Sequence, residues 1–400
     1  MASEASSIPL PLESPQSQAA RGALLTLALF SIGHCFVDLY SSALGAFQPV
    51  LGEKLGLTLT QAGLLGGLMV FASSVVQPAY GYLSDRFHSR LFSALGPAVA
   101  GIFISSLGVA PSFAWLTMLV LLGGSGIASF HPQASSRAAA GFTGHRGRWM
   151  SIFISAGSVG LAFGPTYFSM LFAKLGPARA WWGAAPGVGA TILLLCCMPH
   201  ATAAAKRRKP RLLDSLTALR PVWKPLTILY LLVFIRSILQ IVYTQLLPLY
   251  LHRERGYSVA MASMALSLYL AAGAIGGFVG GPLADRFGGK RVICVSMAGS
   301  LPLLFVFFAA SGVTAIVALA LGGLVLLFTN PVNIVMAQEL APAQIGTVSA
   351  LMQGFAWGVA GLIFIPLTGW AGDVFTLHNA LMSLLVFPVI GIFLTLKLPE

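Results

Sequence analysis

The sequence predicts an all-α integral membrane protein of twelve transmembrane helices, arranged as two pseudo-symmetric six-helix bundles. Three observations carry that expectation. Of its 400 residues, 57% are hydrophobic and only 8% are charged, whereas a soluble globule carries about a quarter charged side chains. Twelve apolar stretches of about 20 residues follow one another, each able to cross about 30 Å of hydrocarbon as a helix whose backbone groups pair internally. Finally, the stretch Gly81-Tyr82-Leu83-Ser84-Asp85-Arg86-Phe87-His88-Ser89-Arg90 returns 200 positions later as Gly281-Pro282-Leu283-Ala284-Asp285-Arg286-Phe287-Gly288-Gly289-Lys290-Arg291. Each copy ends an apolar run with an Asp-Arg dipeptide and leads through a short basic turn into the next run, so the chain reads as a duplication.

The spans are expected near 22–46, 59–83, 91–110, 115–137, 149–171, 180–198, 224–250, 259–284, 290–310, 313–337, 343–369 and 376–396. This divides the chain into a tail (1–21), a first bundle (22–198), a basic linker (199–223), a second bundle (224–396) and a short tail (397–400), with no room for a soluble domain. The net charge of +12 takes its meaning from its distribution. With the N-terminus inside, 17 Arg and Lys fall on the cytoplasmic side and five outside (Lys54, Lys174, Arg179, Arg253, Arg255). That asymmetry places both termini in the cytoplasm. The run Lys206-Arg207-Arg208-Lys209 reads as a topology anchor against anionic lipid rather than a nucleic-acid site. The N-terminal tail lacks the basic region of a cleaved signal peptide. Cys35, Cys196, Cys197 and Cys294 all fall within spans and make no metal spacing, so free, buried thiols are expected.

In the first span, Ser31, His34 and Asp38 share one helical face. An ionised carboxylate in lipid costs at least about 2.5 kcal/mol, so this face should look into the protein. Asp38 reads as a proton-coupling carboxylate with His34 one turn away, or as a polar packing contact. Three groups on consecutive turns of one helix do not make a nucleophile relay, which argues against a hydrolase. Pro78, after Gln77, marks a point where the second span loosens. The fourth ends in a glycine-rich run leading to Phe130-His131-Pro132-Gln133 and Arg137. The fifth carries a glycine face, Gly157, Gly160 and Gly164 with Pro165, suited to close packing and bending.

The seventh span contains Arg236, with Gln240 and Tyr243 following at four and seven residues. Arginine stays charged at any accessible pH, so it must find an anion, water or a cavity. It reads as an anion-binding group, as an assembly salt bridge, or as a side chain reaching the interface. In the tenth, Asn330-Pro331 stands 199 residues after His131-Pro132, and Glu339 lies at the inner end, suited to charge pairing or gating. Gln353 and Trp357, one turn apart in the eleventh, offer a hydrogen bond and an aromatic wall to a cavity.

The repeated Asp-Arg turns, Asp85-Arg86 and Asp285-Arg286, resemble the loop signature of the major facilitator superfamily, which joins the second and third membrane helices of each half. The Phe-His-Pro segment, the His34–Asp38 face and Ala337-Gln338-Glu339-Leu340 together are similar to the fosmidomycin-resistance branch, over about residues 24–396. That resemblance implies the major facilitator fold, with the first and seventh helices lining a central cavity where Asp38 and Arg236 neutralise each other directly or through water. Gln133 stands where the branch often has a carboxylate, and the exporter arginine early in the fourth helix is absent. The glycine face is similar to the antiporter signature of proton-coupled exporters.

The function expected is a proton-coupled antiporter that exports a small toxic or anionic compound, fosmidomycin-like, from the bacterial inner membrane. Proton coupling falls to Asp38 and His34. Substrate binding falls to Arg236, Gln240, Tyr243, Gln353, Trp357 and His131. Gating falls to Asp85, Arg86, Asp285, Arg286, Arg137 and Glu339. Expected partners are a small-molecule substrate, protons and the bilayer, in a monomer with no cofactor, metal or nucleic acid. Two other readings stay open: a proton-coupled importer of a sugar or organic acid, and a metal-handling membrane protein or membrane enzyme that recruits His34, Asp38 and His131. The sequence has no zinc-type spacing and no phosphate loop, which disfavours both metal handling by a sequence motif and ATP-driven pumping.

Overall fold

The computed structural model describes residues 15–87, 89–138, 142, 146–198 and 217–398. The Asp85 side chain, His88, the Lys206-Arg207-Arg208-Lys209 anchor and most of the expected tails and linker lie outside the described residues. Among the described residues, twelve helical segments are long and apolar enough to cross a membrane. They are α1 (Arg21–Leu55), α2 (Leu59–Ser84), α3 (Leu91–Val109), α4 (Phe113–Arg137), α5 (Trp149–Leu175), α6 (Pro177–Cys197), α7 (Arg220–Arg253), α8 (Val259–Phe287), α9 (Gly289–Ala309), α10 (Gly312–Leu340), α11 (Thr347–Val374) and α12 (Leu377–Leu396).

The buried apolar side chains gather into two cores. One, around Tyr40, Phe47, Phe130 and Phe168, is built wholly from residues before 199. The other, around Tyr243, Tyr250, Tyr269 and Phe307, is built from residues after 218 together with Leu59, Ala62 and Val70 of α2.

The duplication extends to the turns. Gly56 (φ 64°) and Gly256 (φ 70°) hold the left-handed conformation that glycine adopts without steric cost. Two residues after each, Thr58 and Ser258 cap the next helix by accepting from the backbone N–H groups of Gln61 and Met261. Lys54 Nζ donates to the carbonyls of Gly108 and Ala110, each at 2.9 Å, at the end of α3. Arg255 repeats this at the end of α9, donating to the carbonyls of Phe308 and Ala310. A cation placed on terminal carbonyls satisfies the unpaired acceptors of a helix end and opposes its dipole.

Several spans depart from simple rods, each for an identifiable reason. The first helix is longer than its apolar stretch, running Pro15–Leu55, because Phe47 and Leu51 keep its far end fully buried. The α2 segment changes to a wider π-turn over Phe71–Val75, just ahead of Pro78, since proline supplies no N–H to the turn before it. The α10 segment is interrupted between Leu326 and Thr329, ahead of Pro331, for the same reason. A second π-turn occupies Ala350–Phe355 of α11, close to the first; a Cβ on Gly358 would stand 2.9 Å from Val75 of α2.

Among the described residues, the hydrogen bonds between the two halves all lie toward the side away from the termini. Asp373 of α11 accepts from the Leu59 N–H (2.8 Å), the Thr60 N–H (2.7 Å) and the Thr60 hydroxyl (2.6 Å), capping α2 across the interface. His252 and Glu53 meet at 2.7 Å, Arg253 donates to the Leu57 carbonyl at 3.0 Å, and the Thr166 and Ser267 hydroxyls meet at 2.7 Å.

The thiols are free, as expected, but none is fully buried: Cys35 and Cys294 are half-buried, and Cys196 and Cys197 sit exposed at the end of α6.

Candidate functional site

The face of α1 that bears His34 and Asp38 looks into its own half, because α5 lies almost backbone to backbone against it. The glycine face makes that approach possible. Gly160 meets the Cys35 carbonyl and Gly164 meets the Leu39 carbonyl, where any side chain would collide with main chain. At Gly157 a Cβ would stand 2.5 Å from the His34 ring and 2.6 Å from the Asp38 carboxylate. The expected glycine face therefore does a local job: it clears the volume in which the ionisable groups of α1 sit.

Into that volume α4 brings His131. The Asp38 carboxylate lies between two imidazoles, with Oδ2 3.3 Å from His34 Nε2 and Oδ1 3.3 Å from His131 Nε2. The far nitrogen of each ring is anchored on a backbone carbonyl, His34 Nδ1 on Phe153 at 2.8 Å and His131 Nδ1 on Ile127 at 2.8 Å. A carbonyl only accepts, so both Nδ1 atoms carry hydrogen and both Nε2 atoms face the carboxylate. The His34 ring stacks on Phe153 at 4.2 Å and meets the His131 ring edge-on at 5.1 Å, which fixes its plane. All three side chains keep partial access to solvent, 10% for His34, 19% for Asp38 and 23% for His131.

The second half buries Arg236. Its Nη1 donates to Gln240 Oε1 at 2.6 Å and its Nη2 to Ser237 Oγ at 3.3 Å. Its Nε has no acceptor within the protein, and the Tyr243 and Tyr269 hydroxyls nearby on α7 and α8 also lack partners. The rings of Tyr243 and Tyr269 stand 5.8 Å apart, and Tyr269 lies close to Arg236. Among the described residues no carboxylate pairs with Arg236. Burying an arginine without a counter-ion leaves strong donors aimed at a place for an anion.

The structure does not bring Asp38 and Arg236 into the direct pairing expected from sequence. Asp38 is turned toward α4 and α5 and is engaged by two imidazoles of its own half; Arg236 folds along α7 onto Gln240. His131, expected to touch substrate, completes the carboxylate cluster. Gln353 is exposed in the π-turn of α11 and Trp357 is half-buried against the second core. Glu339 is exposed and is in no ion pair among the described residues. Arg137 donates to the Met198 sulfur at 3.7 Å. In the repeated turns, Arg86 and Arg286 lie over the rings of Phe87 and Phe287, at 5.8 and 5.1 Å, and Asp285 is exposed. Sequence reading missed Tyr269 and Ser237, which nothing but the packing of α8 and α7 around Arg236 singles out. The gathering of His131 with His34 and Asp38, entertained from sequence only for a metal-handling protein or enzyme, is what the packing of α4 against α1 produces.

Twelve membrane-crossing helices in two duplicated halves, with ionisable groups held inside each, define a multi-pass membrane transporter. The chain belongs to the Major Facilitator Superfamily, whose model matches residues 30–364 and 229–400. It is 32% identical over 372 residues to YfnC, an uncharacterized MFS-type transporter of Bacillus subtilis strain 168, covering 92% of this chain and 91% of the relative. It resembles the Fosmidomycin resistance protein of Escherichia coli K12, at 28% identity over 386 residues, 95% of this chain and 94% of that one. A Probable sulfoacetate transporter, SauU of Cupriavidus necator, is 26% identical over 346 residues and 79% of each chain. Among solved structures, the fold matches the nucleoside transporter NupG (TM-score 0.73, 14% identity, 94% of this chain and 98% of that one). It also matches a bacterial homolog of the human lysosomal transporter Spinster in its inward-facing, unoccupied conformation (TM-score 0.76, 16% identity, 96% and 97%).

Proposed function

We propose that the chain is a proton-coupled antiporter that exports a small acidic or toxic compound by alternating access, as a monomer in a bacterial inner membrane with both termini cytoplasmic. The observation that carries the reading is the Asp38 carboxylate held between two imidazole Nε2 atoms. Each of the two contacts sets a nitrogen lone pair against a carboxylate oxygen unless a proton lies between them. Filling both contacts changes the cluster from a net charge of −1 to +1. Such a site takes up and releases protons as its exposure changes, which is what coupling to a pH gradient requires.

The second half supports the substrate side. Arg236, without a carboxylate partner and with Gln240, Ser237, Tyr243 and Tyr269 about it, suits an oxyanion. The relatives named for fosmidomycin resistance and sulfoacetate point to the same class, and the former favours export. With hydrogen bonds between the halves confined to the side away from the termini, the state described is one sealed on that side. Rocking of the halves about the interior, as this superfamily's repeats do, exposes the clusters to each side in turn.

Reconstituted protein given an imposed pH gradient tests the scheme, with fosmidomycin and sulfoacetate as test anions. Asp38→Asn is expected to abolish gradient-driven uptake or release while leaving folded protein; unchanged proton-driven transport in that variant removes Asp38 from the mechanism. Counterflow in oriented vesicles separates export from import.

A further inference from the structure

We propose that His34, Asp38 and His131 also form a binding site for a divalent transition-metal ion of the Zn²⁺, Co²⁺ or Ni²⁺ class. This goes beyond proton coupling and does not depend on it. Four features of the geometry support it. First, the donor set of two imidazole nitrogens and one carboxylate, contributed by α1 and α4, lies with its ligand atoms all within 4.8 Å of one another. Second, each imidazole Nε2 stands 3.3 Å from its own carboxylate oxygen, His34 from Oδ2 and His131 from Oδ1, so an ion seated between the rings would meet both oxygens of Asp38. Charge-assisted hydrogen bonds close to about 2.8 Å, whereas neighbouring ligands of a tetrahedral ion with bonds of about 2.0–2.1 Å stand about 3.3 Å apart.

Third, both rings are oriented as metal-binding histidines are. Each Nδ1–H is fixed on a backbone carbonyl at 2.8 Å, which aims the Nε2 lone pair at the shared centre. His34 is further held by its stack on Phe153. Fourth, the cluster is not walled in by a side chain from α5 at Gly157. Gly157 presents no side chain where a Cβ would stand 2.5 Å from His34 and 2.6 Å from Asp38, and the three side chains remain partly open to solvent. Imidazole donors select borderline-soft ions over Mg²⁺ and Ca²⁺, which take oxygen shells. Three protein ligands leave a fourth position for water or an exogenous group.

Tag-free purified protein, in detergent and without any gradient, is titrated with Co²⁺ and read by visible absorption. The expected result is one Co²⁺ per chain with intense tetrahedral bands, displaced by Zn²⁺. Asp38→Asn and His131→Gln should each weaken binding at least about 100-fold, with helical content and monodispersity retained. X-ray absorption of the Zn²⁺-loaded wild-type protein needs no variant, and should show two imidazoles in the shell at about 2.0 Å. Absence of stoichiometric Co²⁺ binding, an all-oxygen shell, or unchanged affinity in both variants overturns the site. None of these readouts uses proton-driven transport, so failure here and failure of the antiport reading are separately visible.

Discussion

The cap that Asp373 places on α2 is the clearest test of how the two halves are held. Asp373 lies near the end of α11, yet it satisfies the first two N–H groups of α2 and the Thr60 hydroxyl, at 2.6–2.8 Å. A carboxylate on free N–H groups at a helix start is worth about 0.5–2 kcal/mol when replaced by alanine. The group is exposed to solvent, so the lower part of that range applies, about 1 kcal/mol. In the proposed alternating-access scheme this contact joins the halves while this side is sealed, so its loss is expected to act on the conformational balance rather than on folding of either bundle. About 1 kcal/mol is about a five-fold shift of the balance toward the state open on this side.

Spin labels at Lys174→Cys in the first half and Val313→Cys in the second, both exposed on this side, report the separation by pulsed EPR. Cys196 and Cys197, being exposed, are first replaced by serine. Asp373→Ala should enlarge the long-distance population about five-fold, and Asp373→Asn, which keeps an acceptor oxygen, less so. An unchanged distance distribution in Asp373→Ala refutes the assignment of this cap as a latch.

Other outcomes follow from the same packing. Arg236→Ala should remove transport of anionic compounds while sparing neutral ones, and Arg236→Lys should restore it only in part, since lysine keeps the charge but loses the planar fork; equal loss for both classes points to a structural arginine. Gly160→Ala drives a methyl group into the Cys35 carbonyl and should destabilise the first bundle by about 1–3 kcal/mol, read as a lowered thermal midpoint; an unshifted midpoint contradicts the backbone contact between α1 and α5. Gly277→Ala, where a Cβ meets nothing within 4 Å, serves as its control and should leave the midpoint unmoved. Substrate exchange in the absence of a gradient should depend on pH in the wild type and lose that dependence in Asp38→Asn, because the variant removes the acceptor common to both imidazole contacts; a retained pH profile counts against the cluster.

The twelve spans and the twofold repeat were legible in the chain because lipid leaves the backbone few options. Each crossing must satisfy its own hydrogen bonds, so apolar length and the returning Asp-Arg turn carry the architecture directly. The His34–Asp38 face and Arg236 were equally visible, since a charge within an apolar run has no inexpensive place in lipid. Local periodicity says which residues share a face of one helix, but not what that face meets. The pairing of His131 with Asp38 joins positions 93 residues apart, and it exists only because glycines 157, 160 and 164 let α5 press against α1 while α4 closes the other side. Direct pairing of Asp38 with Arg236 does not form for the same reason: nearer groups, Gln240 along the arginine's own helix and two histidines beside the carboxylate, engage each side chain within its own half. Sequence thus determined which groups had to be hidden from lipid; tertiary packing decided which of them would face one another, because short-range hydrogen bonds form with whatever the helix contacts bring within reach.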